Sequence, residues 1–253
     1  MKRQWIVTFI AAFVLLGCSK NGFGGSSTNA SSSDSSAAAP QPPTTPTPPV
    51  TPDPNPTADP YAAYESYIPL AWEKSAASTR AWSLYLFSVI DTQTSSLLGG
   101  TSDIANFCPK YSSLNRDGKI QFWAYLFSAV ARYESGFDPL SRMKENLGTD
   151  PITHQQVQSE GLLQLSYQDI LNYPTCRMDW NADKNLSPTD PRKTILDPDI
   201  NLQCAAIIMS KQVKNHNKIV ISSGAYWSTL QSSSRYNQIA AITKATQALP
   251  FCN

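Results

Sequence analysis

Phe122-Trp123-Ala124-Tyr125-Leu126-Phe127-Ser128-Ala129-Val130-Ala131-Arg132-Tyr133-Glu134-Ser135-Gly136-Phe137-Asp138-Pro139 is the stretch on which the reading of this chain turns. It opens almost wholly apolar. At helical spacing Phe127, Val130 and Glu134 share one face, at i, i+3 and i+7. An acid on the stripe that a helix should bury is desolvated. Desolvation disfavours the charged form and lifts a carboxyl pKa toward the range that a general acid needs near neutral pH. Gly136 and Pro139 then stop the helix. Glu134 is therefore expected at a helix end, where a cleft can open.

Working outward, the chain from about residue 70 reads as helical. Trp72, Ala76, Trp82, Leu86, Val89 and Ile90 predict a long first helix reaching Leu98 and ended by Gly99-Gly100. The second helix covers about 117–134, and a short one follows Ser166. Asp197-Pro198 is a helix start, with Asp as N-cap and Pro at the first helical position. The apolar residues of that helix are Ile200, Cys204, Ile207 and Ile208. A further pair is predicted over 223–231 and 236–248. Residues 134–161 read as loop with a small hairpin. The expected fold class is mainly α.

The N-terminal end has a different character. Lys2 and Arg3 precede an apolar run over 5–16 that is too short for a good membrane span, so 1–17 reads as an export signal. Leu15-Leu16-Gly17-Cys18 resembles the bacterial lipobox, which implies that Cys18 is lipidated and anchors the chain to a membrane. Ser19 resembles an outer-membrane sorting signal. Residues 18–60 are rich first in Ser, Ala and Gly, then in Pro. They have almost nothing to bury and read as a disordered tether. Residues 61–253 form the expected domain. An outer-membrane lipoprotein facing the periplasm, or an exported protein, is the expected location.

The formal net charge is +1 over 253 residues. Residues 1–60 carry three cations and three acids, so the domain has the same balance. A chain so nearly neutral lacks the electrostatic footprint of a nucleic-acid binder. Charged residues are only 15% and aromatics 10%, a surface suited to a neutral polymer such as a glycan. Setting Cys18 aside leaves Cys108, Cys176, Cys204 and Cys252, an even number in an exported chain. Four cysteines allow three pairings; the reading adopts Cys176–Cys204 and Cys108–Cys252. No cysteine pair has zinc-finger spacing, so neither a metal nor a cofactor is expected. His154 and His216 read as surface histidines, with no Cys–His chemistry.

Three further fragments follow Glu134 in order: Ser159-Glu160-Gly161-Leu162-Leu163-Gln164-Leu165-Ser166, then Asp197-Pro198-Asp199-Ile200-Asn201, then Ala225-Tyr226-Trp227. Together with the Glu134-Ser135 pair they resemble the catalytic domain of soluble lytic transglycosylases and goose-type lysozymes, over roughly 70–250. The resemblance implies a lysozyme-like helical domain with an open glycan groove. It also implies cleavage of the β-1,4 bond between N-acetylmuramic acid and N-acetylglucosamine in peptidoglycan. Glu134 would protonate the leaving oxygen and then act as base, giving either an anhydro end by lytic transglycosylation or a reducing end by hydrolysis. Ser135 would support the glutamate. Gln164 would line the groove beside Gly161, while Leu163, with Leu162 and Leu165, would pack and place backbone groups against the sugar. Tyr226 would steer the catalytic carboxyl, and Trp227 beside it is counted among the substrate-binding or supporting residues. Asn201 reads as structural, holding a helix start.

The chain departs from that pattern at several points. Trp227 stands where the family usually has an asparagine that contacts substrate amides. Leu163 replaces a methionine and Ala205 a glycine. Glu160 admits three readings: a solvated loop acid, a second carboxylate aiding hydrolysis, or a partner for a cationic sugar amine. The last, joined to the missing asparagine, extends the expected substrate to de-N-acetylated glycan. Asp138, Glu145 and Asp150 are the other candidates for a second acid. The expected protein is a monomeric muramidase whose partners are glycan strands and, through its anchor, a membrane. The competing classes are a non-catalytic wall-binding lipoprotein of the same fold and a small-molecule binder with a closed apolar cavity.

Overall fold

The computed structural model describes residues 66–253. The expected signal segment, Cys18 and the tether lie outside the described residues. The described part is mainly helical, with one two-stranded antiparallel sheet and two disulfides, as the sequence predicts. In chain order its elements are α1 (Arg80–Thr92), α2 (Ile104–Phe107), α3 (Arg116–Glu134), β1 (Arg142–Thr149) and β2 (Gln156–Glu160). After these come α4 (Asp169–Asn172), α5 (Trp180–Asp183), α6 (Pro198–His216) and α7 (Ile239–Gln247).

Helix α3 is the axis of the core. Asn115 caps it by accepting from the Gly118 amide at 2.9 Å. Every residue from Phe122 to Ala131 is buried. A helix that is apolar all round has no face to offer water, so its neighbours must enclose it. Helices α1 and α7 pack on α3, and α6 packs on α1. Trp123 joins the core without an orphaned donor, because its indole N–H donates to the Tyr111 hydroxyl at 2.9 Å.

Helix α6 starts as predicted. The Asp197 side chain accepts from the Asp199 and Ile200 amides, and Pro198 takes the first helical position, where no donor is missed. The long first helix is not continuous. Residues 71–79 form two short 3-10 turns before α1 begins, and Ser95–Gly99 forms another after it. Side chains fold this entry back on α1. The Trp72 indole donates to the Ser83 hydroxyl at 2.8 Å, and Glu73 accepts from both Leu70 N and Ser83 Oγ. The helix expected over 223–231 reduces to the turn Ser228–Leu230. There Gln212 of α6 ties the chain down, donating to Ile219 O and accepting from Tyr226 N, which serves backbone groups a helix would otherwise have paired.

Both disulfides pair as expected, Cys108 with Cys252 and Cys176 with Cys204. The first closes a loop of 144 residues. By loop-closure entropy it stabilises the fold by about 4–5 kcal/mol, acting on the unfolded chain. The second links the segment after α4 to the buried face of α6.

Candidate active site

Glu134 is the last residue of α3, and the chain leaves it through Ser135, Gly136 at φ 66° and Phe137 at φ 71°. The Ser135 hydroxyl donates to Ala131 O at 3.3 Å and accepts from Phe137 N at 3.1 Å. Ser135 therefore serves the helix stop, and these bonds do not reach the carboxyl it was expected to support. The Glu134 residue is only partly covered, but its carboxyl is crowded by protein. That desolvation pushes it up to about 7. The Thr229 hydroxyl donates to Glu134 Oε1 at 2.7 Å and pulls the other way; the neighbouring Glu145 adds a further push upward.

Glu145 lies in β1, 1% exposed. Its Oε1 accepts from the Ser159 hydroxyl at 2.7 Å, while its buried Oε2 has no partner. Burial raises this carboxyl too. An unsatisfied carboxylate oxygen in a buried place is costly, which singles Glu145 out as a candidate site residue. Of the four second-acid candidates, Glu145 is the one placed beside Glu134. Asp138 accepts from Leu140 N in a turn. Asp150 accepts from the amides of Ile152, Thr153 and Gln168, which fixes the far end of the hairpin.

Glu160 is none of the three things proposed for it. It is 2% exposed and ion-paired to Arg142 at 2.8 Å and to Lys193 at 2.5 Å. Register explains the difference. Arg142 pairs with Glu160 and Met143 with Ser159, so Glu160 points to one face of the hairpin and Ser159, with Glu145, to the other. The alternation that gives Glu145 to Glu134 takes Glu160 away from it.

The turn after β2 is built for close approach. Gly161 has φ 80°, and a Cβ there would lie 2.3 Å from Asn201 Nδ2 and 2.8 Å from Ile195 O. Only glycine fits both demands. Asn201 is structural, as predicted: its side chain donates to Glu160 O and Ile195 O and accepts from Leu163 N. Leu163 is fully buried. Gln164 takes φ 51° and turns its amide onto Gly161 O at 2.8 Å, so it shapes the turn.

Tyr226 does not bond the Glu134 carboxyl. Its hydroxyl donates to Asp169 Oδ2, a buried carboxylate. Burial pushes the Asp169 carboxyl up to about 6, against the lowering effect of Tyr226 and of the Ser166 amide. The Tyr226 phenol is raised by burial first, then by Asp169, with Glu134 also contributing. Trp227 is 1% exposed, with its indole N–H on Leu163 O at 2.9 Å and its ring edge-on to Phe127 and Tyr226. It belongs to the core, which excludes it as a direct substrate contact. Thr229, Asp169 and Ser159 carry site geometry that the sequence pattern did not mark. Thr229 lies in a segment misread as helix, and Ser159 gains meaning only from strand register. Among the described residues no group of His, Cys, Asp and Glu could hold a metal ion.

No family model matches the chain, and no curated protein matches it. Solved structures do. Wild-type DslA of Bdellovibrio superposes with a TM-score of 0.62 at 29% identity, covering 74% of this chain and 98% of that one. Two variants of DslA, each with one glutamate replaced by glutamine, match at 28% identity. Their TM-scores are 0.62 and 0.61, over 74% and 73% of this chain and 98% and 97% of theirs. The chain is thus similar across nearly the whole of DslA, a protein whose glutamates were exchanged for their uncharged isostere.

Proposed function

We propose that this protein is a peptidoglycan-cleaving muramidase acting by hydrolysis at the β-1,4 bond between N-acetylmuramic acid and N-acetylglucosamine. The observation that carries this reading is the pair Glu134 and Glu145: two buried carboxyls, both raised, one with an unpartnered oxygen. Environments that keep one carboxyl protonated near neutral pH beside a second acid suit glycoside cleavage. The exchanged glutamates of DslA stand eleven positions apart in its numbering, as Glu134 and Glu145 do here.

In this mechanism Glu134 carries the proton, which passes to the leaving glycosidic oxygen as the bond to the anomeric carbon breaks. Glu145 then takes a proton from the incoming water through its free oxygen, with Ser159 holding the other oxygen still. A second carboxylate assists water activation and has no task when the sugar's own hydroxyl attacks, so the pair favours hydrolysis over an anhydro product. Mass spectrometry of muropeptides released from purified wall tests this. Products with reducing ends are expected; products lighter by one water would replace hydrolysis with transglycosylation.

The reading extends to glycan without N-acetyl groups. Trp227 is buried where the resemblance places an asparagine, so no side-chain amide stands there to receive an acetamido group. Equal digestion of acetylated and deacetylated wall would remove this part. Lipidation of Cys18 would hold the domain within reach of the envelope, with the tether as spacer.

Thr229 tunes the acid. Its hydroxyl favours the charged form of Glu134, so Thr229→Val should move the alkaline limb of the pH–rate profile upward. The rate should drop roughly five- to tenfold, from about 1–1.5 kcal/mol of lost hydrogen bonding. Thr229→Ser should restore both, and a Val variant with an unmoved profile would remove the role.

A further inference from the structure

The face of the hairpin turned away from Glu145 forms one wall of a second feature. Arg142, Gln158 and Glu160 line a cavity of about 130 Å³, whose opposite wall carries Trp180, Asp183, Lys184 and Lys193. This is far more room than a single water needs. The lining contains three cations, Arg142, Lys184 and Lys193, and three carboxylates, Asp150, Glu160 and Asp183.

These charges balance in number but are not paired one to one. Both ion pairs in the lining converge on Glu160, from Arg142 and from Lys193. Two cations thus share one carboxylate, which leaves surplus positive charge on that side. The Lys184 ammonium donates to a neutral acceptor, Asn181 Oδ1, at 3.4 Å. Asp183 accepts from neutral donors, the Tyr167 hydroxyl at 2.7 Å and the Thr194 amide and hydroxyl. Asp150 likewise accepts from backbone amides. Unpaired charge of both signs therefore faces one small space. Tyr167 and Trp180, edge-on with centroids 5.0 Å apart, supply an apolar wall.

A simple anion in this space would meet two uncompensated carboxylates, and a simple cation would meet the surplus ammonium and guanidinium charge. A ligand carrying both signs a few bonds apart satisfies each side at once. We propose that this cavity binds the zwitterionic end of an amino acid, with ammonium and carboxylate on one carbon, as presented by the peptide stem of uncross-linked wall. The choice of a wall peptide as the source rests on the muramidase reading; the charge argument does not. The site would then recognise strands by the state of their peptides, from behind the hairpin whose front face holds Glu145.

The experiment is a calorimetric titration of the full chain with a glycan-free stem peptide ending in a diamino acid whose ammonium and carboxylate are both free. Binding is expected to weaken at least tenfold when that ammonium is acetylated, when that carboxylate is amidated, and in Lys184→Ala, an exposed side chain whose loss leaves the core intact. No binding of the unblocked peptide would overturn the proposal. So would binding that survives either block, which would make the cavity an anion or a cation site, or a Lys184→Ala protein that binds as the wild type does. Peptide binding by a protein that leaves wall uncut would remove the muramidase reading and keep this site. Cutting without peptide binding would do the reverse.

Discussion

Glu134→Gln should lower wall digestion by a factor of 10²–10⁴ while leaving the protein more stable at alkaline pH. The rate loss is the usual scale for removing a general acid that no other group replaces. The stability gain follows from the same burial. Glu134 is raised from 4.5 to about 7 in the fold, so the folded state holds its proton more tightly than the unfolded chain. Its stabilising contribution is complete below pH 4.5 and is lost as pH rises through about 7. The wild type forfeits on the order of 2–3 kcal/mol over that window, and the glutamine variant forfeits none of it. Melting curves should therefore separate the two proteins at pH 8 and bring them together near pH 4. Undiminished digestion by the variant would end the mechanism, and a difference in stability independent of pH would end the account of the buried proton.

Glu160→Ala should be among the most destabilising single changes in the domain, at about 3–5 kcal/mol. It would leave the Lys193 ammonium, 3% exposed, facing the Arg142 guanidinium with no carboxylate between them. The pair itself contributes less than this, because burying three charges is costly in the first place. Hence Glu160→Leu combined with Lys193→Met should recover most of the loss, since Arg142 is 23% exposed and can turn to water. Urea denaturation of the single and double variants measures the coupling. A mild effect of Glu160→Ala would show that solvent already screens the cluster.

The parts of the fold that could be read from sequence are those specified locally. Helix α3 follows from an apolar run closed by glycine and proline, and α6 from an Asp-Pro start. Both depend on residues within a few positions of each other. The parts that could not be read depend on partners far along the chain. Thr229 meets Glu134 across 95 residues and Tyr226 meets Asp169 across 57, distances at which no periodicity carries information. Glu160 and Glu145 show a subtler limit. Both are acids in polar strands, and only register decides which one faces Glu134. The long first helix failed for another reason. Its propensity was adequate, but Trp72 and Glu73 found better bonds by folding back to Ser83.

The Cys108–Cys252 bridge also bears on how the chain withstands proteolysis. Glu134, Glu145, Ser159, Asp169 and Thr229 all fall within the segment it closes, and Cys176–Cys204 is nested inside the same segment. A protease that nicks any one peptide bond between residues 108 and 252 leaves both pieces held by a covalent link and by the core around α3. The severed halves cannot diffuse apart, so a single cut opens a loop without separating the two pieces, and losing a fragment requires at least a second cut on the same molecule.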